Sequence, residues 1–383
     1  MRHFAANYIF DGKSLIKNSI VSVDDSGLIT FVGKENDALI ERPRMVFYNG
    51  IISPGFINSH CHLELSDYKK TDEQAKGLSY FISKILNQRN LFNNTKVIES
   101  YDKSMFEKGI NLVADIVNTD KTIDIKTRSR IFYINFIEIS STNDFQAESK
   151  IEWAENLASK FTSSGLSSNI TLHSLYSISH NLFSHFANNS GNKILSIHFL
   201  ESEKEEEFFR GKQNSLFRII SKINPKFTPI AKNIKELYAL VEKLSVPSRI
   251  ILVHNVKADI SKTKTLTNCY YCLCPASNLF LNNELPSCNF VYNNIDKIII
   301  GTDSIASNTD LDVFKEIKLL SQYYPGLQLI DLLKMITSTA AEAINSPDFG
   351  KFTIGKKPGI VLINNIDLID LKLTDQSYIK RIL

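Results

Sequence analysis

The chain has 383 residues, of which 43% are hydrophobic and 22% charged, and this composition is ordinary for a folded globular protein without long disorder. The formal net charge is only +3, and the sequence has no long basic run, which argues against nucleic acid as a partner. No apolar stretch has the length of a signal peptide or a membrane span, so we expect a cytoplasmic protein without a membrane partner.

Short strands are predicted over the first fifty residues. The segments NYIFDGKSLI, SIVSVDDSGLITFVG and MVFYNGIISPGF alternate in polarity and are interrupted by Asp-Gly, Ser-Gly and Asn-Gly pairs, which are typical of hairpin turns. The C-terminal segment FGKFTIGKKPGIVLINNIDL has the same character. We therefore predict that the two chain ends, residues 1–54 and 346–383, pair into one small β-sandwich domain.

Between these ends, residues 55–345 alternate β-rich runs with helical patterns, which is typical of repeated β-α units and a parallel sheet. Several of the runs are almost continuously apolar, as expected for strands buried on both faces. Eight runs can be counted: Gly55–His62, Gly109–Val117, Ile131–Ile139, Asn169–Ser174, Lys193–His198, Ile250–His254, Tyr270–Pro275 and Lys297–Asp303. The predicted fold is therefore α/β, with residues 55–345 as a (β/α)8 TIM barrel.

Helical periodicity is found in the segments between these runs. The predicted helices include Leu78–Leu91, Ile151–Phe161, Ile234–Leu244, Val313–Tyr323 and Leu329–Ile344. The last of these is followed by Asn-Ser-Pro, a stop signal for a helix. A long polar segment, Ser66–Lys76, precedes the first helix and is predicted to be the loop after the first barrel strand, where TIM barrels build their active sites.

The five cysteines, Cys61, Cys269, Cys272, Cys274 and Cys288, form no framework of the kind found in secreted domains. We expect reduced thiols. The spacing of Cys269 and Cys272 matches half a zinc knuckle, but no second Cys/His pair is nearby and the local sequence NCYYCLCP alternates. We therefore favour a strand at this position over a zinc knuckle.

Histidine and acidic residues stand at the ends of several apolar runs. His60 and His62 are two apart at the end of the first run, where the period of a strand points both imidazoles to the same side. His198, His254 and Asp303 end later runs. Any one of them could be a hydrogen-bonded residue that caps a strand, but several such endings together favour a site at the C-terminal rim.

Neutral imidazoles and a carboxylate suit a borderline metal ion such as Zn²⁺ or Fe²⁺, which lowers the pKa of a bound water and supplies hydroxide. Asp303 can accept the proton of that water, and His254 can hold or polarise the incoming group. Glu201, three residues after His198, can pass a proton to the substrate. The alternative is that Glu201 is an exposed loop residue without a role in proton transfer.

The segments PGFINSHCH, SIHFLESE, ILVHN, CPASN and IIIGTDSIASN resemble, in this order, the successive motifs of the amidohydrolase superfamily. More narrowly, they resemble the branch that contains guanine, cytosine, S-adenosylhomocysteine and aminofutalosine deaminases and the triazine chlorohydrolases. The resemblance covers nearly the whole chain. It implies the TIM barrel, the split β domain, a metal-dependent hydrolase and a small-molecule substrate, and it leaves a homodimer open.

The resemblance also implies roles for individual residues. Its metal ligands fall on His60, His62, His198 and Asp303, and its proton-handling residues on Glu201, His254 and Asp303. The end of the fourth run holds His173, not the lysine that bridges two metal ions in some relatives, which favours one divalent ion. His173 stands in TLHSLYS, where Leu172 replaces the usual proline, and is expected to contact substrate.

Four further residues are weaker candidates for substrate contact. Ser304 follows the general base, and Asn278 lies in CPASN, where relatives often carry Arg or Thr in place of Ala276. Glu64 and Arg89 belong to the region of the long first loop and could meet polar substrate groups. For Glu64 and Arg89, a surface or structural role is an equal alternative.

Three functions remain open at this point. The first is a deaminase that uses water activated by the metal to attack an electron-poor carbon of an N-heterocycle, with a purine-type amine as the favoured substrate. The second is a ring-opening amidohydrolase or chlorohydrolase on the same site, which would release a ring-opened product or chloride in place of ammonia. The third is a non-catalytic metal-binding barrel.

Overall fold

The computed structural model describes residues 1–34, 42–68, 74–88, 94–189, 193–246 and 248–383. Within them the strands are β1 Arg2–Phe10, β2 Leu15–Val23, β3 Ile29–Gly33, β4 Met45–Pro54, β5 Phe56–Cys61, β6 Ile110–Val117, β7 Phe132–Ile139, β8 Ser167–Leu172, β9 Lys193–Phe199, β10 Ser248–His254, β11 Cys269–Leu273, β12 Ile298–Ile300, β13 Ile360–Asn364 and β14 Tyr378–Arg381.

The α-helices of the same residues are α1 Leu78–Gln88, α2 Thr95–Glu107, α3 Ile123–Arg128, α4 Ala147–Ser163, α5 His180–Asn189, α6 Glu203–Phe209, α7 Ser215–Ile223, α8 Ile234–Ser245, α9 Ile260–Thr263, α10 Pro275–Asn282, α11 Cys288–Asn293, α12 Val313–Tyr323, α13 Leu329–Met335 and α14 Ser338–Ala343. In the part of the chain that the structure describes, no helix has the length and apolar character needed to cross a bilayer.

Strands from both chain ends share one sheet, in the order β14-β13-β4-β1-β2-β3. β4 lies parallel to β1 on one side and antiparallel to β13 on the other, with Ile52 opposite Leu362. The buried side chains of Phe4, Ile9 and Val21 pack with Ile52 and Leu362 on one face of it. Among the described residues this unit is one continuous sheet, so the sandwich expected from the sequence stays a prediction.

The remaining strands form two four-stranded parallel sheets, β5-β6-β7-β8 and β9-β10-β11-β12. The sheets meet at both edges. At one edge the N–H of Thr302 donates to the carbonyl of His60 (2.9 Å), and at the other the N–H of His198 donates to the carbonyl of His173 (2.9 Å). The arrangement is a TIM-barrel-like α/β fold, and each of the eight predicted runs overlaps one of these strands.

The space between the two sheets is filled by apolar side chains. Ile57, Phe136, Val253 and Ile299 belong to one buried cluster, which also includes Ala340 of α14. Because all eight strands run in the same direction, their carboxyl ends lie at the same rim above this cluster. The packed interior therefore gives the rim a rigid base.

The predicted helix Leu329–Ile344 is wrong as a single element, since the structure has α13 and α14 with a break between them. Thr337 has φ −137° and ψ −100°, which is not helical, and its hydroxyl donates to the carbonyl of Leu333. A side chain that occupies the carbonyl of the preceding turn competes with the helical hydrogen bond. Apolar periodicity continues across the break and therefore did not reveal it.

A buried ion pair fixes the chain just after the first barrel strand. Nζ of Lys126 lies 2.5 Å from Oδ2 of Asp115, and both side chains are fully buried. The ammonium group also donates to Asn135 (2.6 Å), while Oδ1 of Asp115 accepts the N–H of Leu63 (2.8 Å). Leu63 directly follows His62, so this pair holds the rim residue in place from behind the strand.

We predict that Lys126→Met lowers the free energy of unfolding by about 3–5 kcal/mol, because it leaves the Asp115 carboxylate buried without its counter-ion. Urea denaturation measures the change. Lys103→Met is the matched control, because Lys103 is exposed and pairs with Glu99 only at the surface, and it should cost less than about 1 kcal/mol. Equal losses in the two variants would show that burial of the pair is not what matters.

Candidate active site

Four side chains from three strand ends converge at the rim. His60, His62 and His198 each offer a ring nitrogen, and these three nitrogens lie within 4.8 Å of one another. Nε2 of His60 and Nε2 of His62 are 3.2 Å apart. Oδ1 of Asp303 lies 3.5 Å from Nε2 of His62 and 3.9 Å from Nε2 of His60. The structure thus brings together the four residues that the sequence singled out as metal ligands.

The two carboxylate oxygens of Asp303 have different surroundings. Oδ2 accepts hydrogen bonds from the hydroxyls of Ser277 (2.7 Å) and Ser307 (2.6 Å), whereas Oδ1 faces the imidazoles. Burial alone would raise the pKa of Asp303, but His62, His254 and the two hydroxyls outweigh it and lower this pKa. The group is therefore held as a carboxylate with one oxygen directed at the cluster.

The imidazoles are held in the form that binds metal ions. Burial lowers the pKa of His60 well below its usual value, with a further contribution from His62, and burial also lowers the pKa of His198. Nδ1 of His198 lies 3.0 Å from the carbonyl oxygen of His173 and donates to it. The unprotonated nitrogen of His198 is therefore Nε2. Neutral imidazoles with one carboxylate oxygen form a donor set that fits a divalent metal ion.

His254 and Glu201 stand next to this cluster. Nε2 of His254 is 3.7 Å from Oε1 of Glu201. The amide Nδ2 of Asn278 lies 3.0 Å from Nδ1 of His254 and donates to it, so the proton of the neutral ring is on Nε2, the nitrogen on the side of Glu201. Burial lowers the pKa of His254 to about 3, which keeps the ring neutral.

The surroundings of Glu201 favour its protonated form, in contrast to those of Asp303. Burial raises its pKa well above the usual value, and the charges of Asp303 and Glu205 raise it further. Glu205 lies behind it and accepts the backbone N–H of Glu201 at 2.8 Å through Oε2. The site therefore favours the protonated acid at Glu201 beside an ionised carboxylate at Asp303, which separates a proton donor from a proton acceptor.

The backbone at these positions is strained. Among non-glycine residues, His254 (φ 78°), Asn255 (φ 59°) and Asp303 (φ 59°) adopt the left-handed region, as does Leu200 (φ 46°), which directly precedes Glu201. Such conformations cost of the order of 1–3 kcal/mol each and persist only where the surroundings enforce them. Their concentration at adjoining strand ends is typical of a functional site.

A cavity of about 210 Å³ opens above the cluster. Its floor is polar and includes Asp303, whereas helices α1 and α7 supply an apolar wall. The polar floor residues are His62, His173, His198, Glu201, His254, Asp303 and Ser304, and the apolar wall residues of the two helices are Leu78, Phe81, Ile82, Ile85, Leu86, Ile220 and Ile223. The cavity can hold a molecule with one polar and one apolar side.

Only some of the candidates for substrate contact line the cavity in the structure. His173 and Ser304 line the cavity. Glu64 lines it too, but its carboxylate accepts the N–H groups of Asn118 and Thr119 at 3.1–3.2 Å, so it ties two rim loops together. Asn278 is fully buried against His254 and is not among the lining residues. Arg89 lies outside the described residues.

Sequence reasoning missed Glu138, which ends β7 on the cavity side with a side chain only 9% exposed. It shares the face of Ile134 and Phe136, whose side chains point between the two sheets. A charged residue that continues the inward face of an apolar strand to the rim is the signal that could have revealed it. Sequence reasoning also missed Ser277, which orients Asp303 from α10.

Comparison with known proteins identifies the family. The model of the amidohydrolase family matches residues 51–381, which include every residue of the site described above. The chain belongs to the amidohydrolase family. This confirms the superfamily resemblance found in the strand-end motifs.

Relatives of this amidohydrolase include named deaminases. An aminodeoxyfutalosine deaminase from a Nitratiruptor species is 23% identical over 336 residues, which cover 82% of this chain and 79% of the relative. A 5-methylthioadenosine/S-adenosylhomocysteine deaminase from Caldicellulosiruptor saccharolyticus is 24% identical over 336 residues, which cover 84% of this chain and 73% of the relative.

A solved structure shares the fold. The aminofutalosine deaminase of Helicobacter pylori, in complex with methylthio-coformycin, superposes with a TM-score of 0.80 at 18% identity. The superposition covers 98% of this chain and 94% of the other. Because the superposition spans almost the whole chain, the shared fold includes the sheet formed by the two chain ends.

We predict that Gly301→Ala weakens metal binding by about 10- to 100-fold, because an added Cβ would lie 2.6 Å from Cβ of His60 and 2.8 Å from its carbonyl oxygen. Competition with a chelator of known affinity measures the change. Gly211→Ala is the control: its Cβ meets nothing within 4 Å, and it carries only the strain of a left-handed backbone. A Gly301→Ala protein with unchanged metal affinity would contradict the close-approach argument.

Glu205 gives a prediction about pH. Burial raises the pKa of Glu205 to about 7, whereas the unfolded carboxyl ionises near 4.5. Between these values the folded protein holds a proton that the unfolded chain has lost, so folding stability falls as pH rises. Glu205→Gln does not titrate, and its unfolding free energy relative to the original protein should rise by about 2–3 kcal/mol from pH 5 to pH 8. A pH-independent difference in urea denaturation would contradict this assignment.

Proposed function

We propose that this protein is a metal-dependent deaminase that hydrolyses the C–N bond of an aromatic amine on a purine-type substrate and releases ammonia. The observation that carries the proposal is the placement of Glu201, 3.7 Å from Nε2 of His254, and of Asp303 beside three converging imidazoles, in surroundings that raise the pKa of Glu201 and lower the pKa of Asp303. Hydrolysis of an amine on an aromatic ring needs a proton for the ring nitrogen and another for the leaving group, and this arrangement provides for both.

His60, His62, His198 and Asp303 would hold one divalent metal ion, with Zn²⁺ as our first choice and Fe²⁺ as the alternative. The support is the donor set, with two imidazoles at the end of one strand and a carboxylate that turns one oxygen toward them. When bound, such an ion supplies a water molecule activated near neutral pH. All other steps are assigned to side chains of this chain.

His254 would use its Nε2 proton to hold the attacking oxygen in position, since Asn278 fixes the ring from the other side. Glu201 would protonate the ring nitrogen next to the attacked carbon. Asp303 would take a proton from the attacking water and deliver it to the amine, which leaves as ammonia. The added oxygen stays on the ring carbon and would return its remaining proton to Glu201, so the acid is regenerated and the amine is replaced by a carbonyl oxygen.

A purine nucleoside is the favoured substrate class. The relatives described above are named for aminodeoxyfutalosine, 5-methylthioadenosine and S-adenosylhomocysteine, each of which carries an adenine-type amine. His173 and Ser304 line the polar floor and are proposed to contact the base. The apolar wall of α1 and α7 would cover the less polar part of such a molecule.

We further propose that the two parallel sheets form one closed (β/α)8 barrel over residues 55–345, and that residues 1–54 and 346–383 form the second domain as a sandwich. The backbone hydrogen bonds at both sheet edges and the shared end sheet support this division. The five cysteines are free, which fits a reducing cytoplasm, and a homodimer is compatible with the fold.

Ammonia release from a panel of purine nucleosides tests the function. We predict that the metal-loaded protein deaminates at least one of them, and that Glu201→Gln lowers kcat/KM by about 100-fold or more without loss of metal, because the proton donor is gone. The matched control is Glu203→Gln, the same change at an exposed neighbouring position, which should keep full activity.

Two results would overturn the proposal. Full activity in Glu201→Gln would remove the proton donor on which it rests. Release of chloride from a chlorinated triazine, or a ring-opened product without ammonia, would favour the chlorohydrolase or ring-opening alternative on the same site.

A further inference from the structure

Glu138 is a buried carboxyl group in the cavity to which the proposed reaction gives no role. It lies at the end of β7, and its side chain is 9% exposed. Oε1 lies 3.6 Å from Nδ1 of His198, and Oε2 accepts a long hydrogen bond of 3.4 Å from Nδ2 of Asn118. The carboxyl group therefore adjoins His198, a proposed metal ligand, and the place where substrate would meet His173.

Orientation of the neighbouring histidines does not explain this position. Nδ1 of His198 donates to the carbonyl of His173 at 3.0 Å, a better contact than the 3.6 Å to Glu138. Nδ1 of His173 is within 3.0 Å of the hydroxyls of Ser174 and Ser177. Each imidazole thus has its own orienting partner just after β8, and Glu138 lines the cavity beside them.

The charges of the cavity wall are unbalanced. Its carboxyl groups belong to Glu64, Glu138, Glu201 and Asp303, whereas Lys121 is the only Lys or Arg among the described residues that line it, and Lys121 is exposed. Asp303 is directed at the proposed metal ion, Glu201 is the proton donor, and Glu64 is bound by the loop at residues 118–119. Glu138 is the carboxyl group placed to act on the rest of the substrate.

We propose that Glu138 determines specificity. It accepts a hydrogen bond from a hydroxyl or ammonium group of the substrate, away from the reacting amine, and it repels nucleosides that carry a carboxylate there. This inference rests on the proposed function and names its substrate class: neutral or cationic purine nucleosides. A residue that excludes one class by charge contributes to specificity as much as one that attracts another.

Three nucleosides with different 5′ groups test this proposal: 5′-methylthioadenosine (neutral), 5′-amino-5′-deoxyadenosine (cationic) and adenosine-5′-carboxylate (anionic). With the metal-loaded protein, kcat/KM from ammonia release and Kd from calorimetry should both favour the neutral and cationic compounds over the carboxylate by about 10-fold or more. Glu138→Gln should reduce that preference by about 10-fold, mainly through KM and Kd.

Glu64→Gln is the matched control, because it makes the same change in the same cavity at a carboxyl group bound by its own loop. It should leave the preference unchanged. An unchanged preference in Glu138→Gln, or an original protein that favours the carboxylate compound, would overturn the inference.

The closeness of Glu138, His173 and His198 allows one further reading, a second metal ion held by these three groups. Metal analysis distinguishes substrate selection by Glu138 from a second metal site. One equivalent per chain in both the original protein and Glu138→Gln supports substrate selection, whereas two equivalents that fall to one in Glu138→Gln overturn it.

The binding measurement separates this inference from the proposed function. A charge preference in Kd without ammonia release supports Glu138 as the selector and rejects the deaminase. Ammonia release without a charge preference supports the deaminase and rejects Glu138 as the selector. If none of the three compounds binds, both proposals are rejected.

Discussion

A buried carboxylate facing buried imidazoles is the constraint on which this site depends. Oδ1 of Asp303 lies within 4 Å of Nε2 atoms of His60 and His62, in surroundings that keep the His60 ring neutral. A carboxylate removed from water is costly unless a positive charge compensates it. A divalent ion among these atoms would supply that charge, so the stability of the rim and the chemistry of the site have the same origin.

Much of the surrounding structure serves to fix this cluster. Gly301 directly follows β12 and lets the backbone there approach His60 at a distance that a side chain would not permit. Ser277 and Ser307 hold one oxygen of Asp303 and so orient the other. The buried Lys126 acts from the opposite side through Asp115 and holds the backbone just after His62. The position of the cluster is thus fixed by residues that do not line the cavity.

The sequence predicted the strand ends well for a physical reason. Short apolar runs that alternate with helical patterns suit strands buried on both faces, and a histidine or aspartate at the end of such a strand lies at the rim of the barrel. That reasoning located His60, His198, His254 and Asp303, which are drawn together in the structure. It also predicted correctly that Cys269 and Cys272 lie in a strand, β11.

What the sequence did not reveal depends on contacts between elements. Asn278 was expected to contact substrate, yet α10 turns it toward His254, where it fixes a tautomer. Glu138 was counted only as part of a strand, although its alternation with Phe136 places it on the cavity side. The break at Thr337 arises from one side-chain hydrogen bond within a continuous apolar pattern. None of these follows from composition or periodicity alone.

The most direct test of the central claim is X-ray absorption spectroscopy of the zinc-loaded protein. The account predicts one zinc ion with only nitrogen and oxygen neighbours at about 2.0–2.2 Å, including outer-shell scattering from three imidazoles that drops by one ring in His62→Ala. A sulfur neighbour at about 2.3 Å would place the metal at a cysteine and contradict the assignment, as would a zinc environment unchanged in His62→Ala.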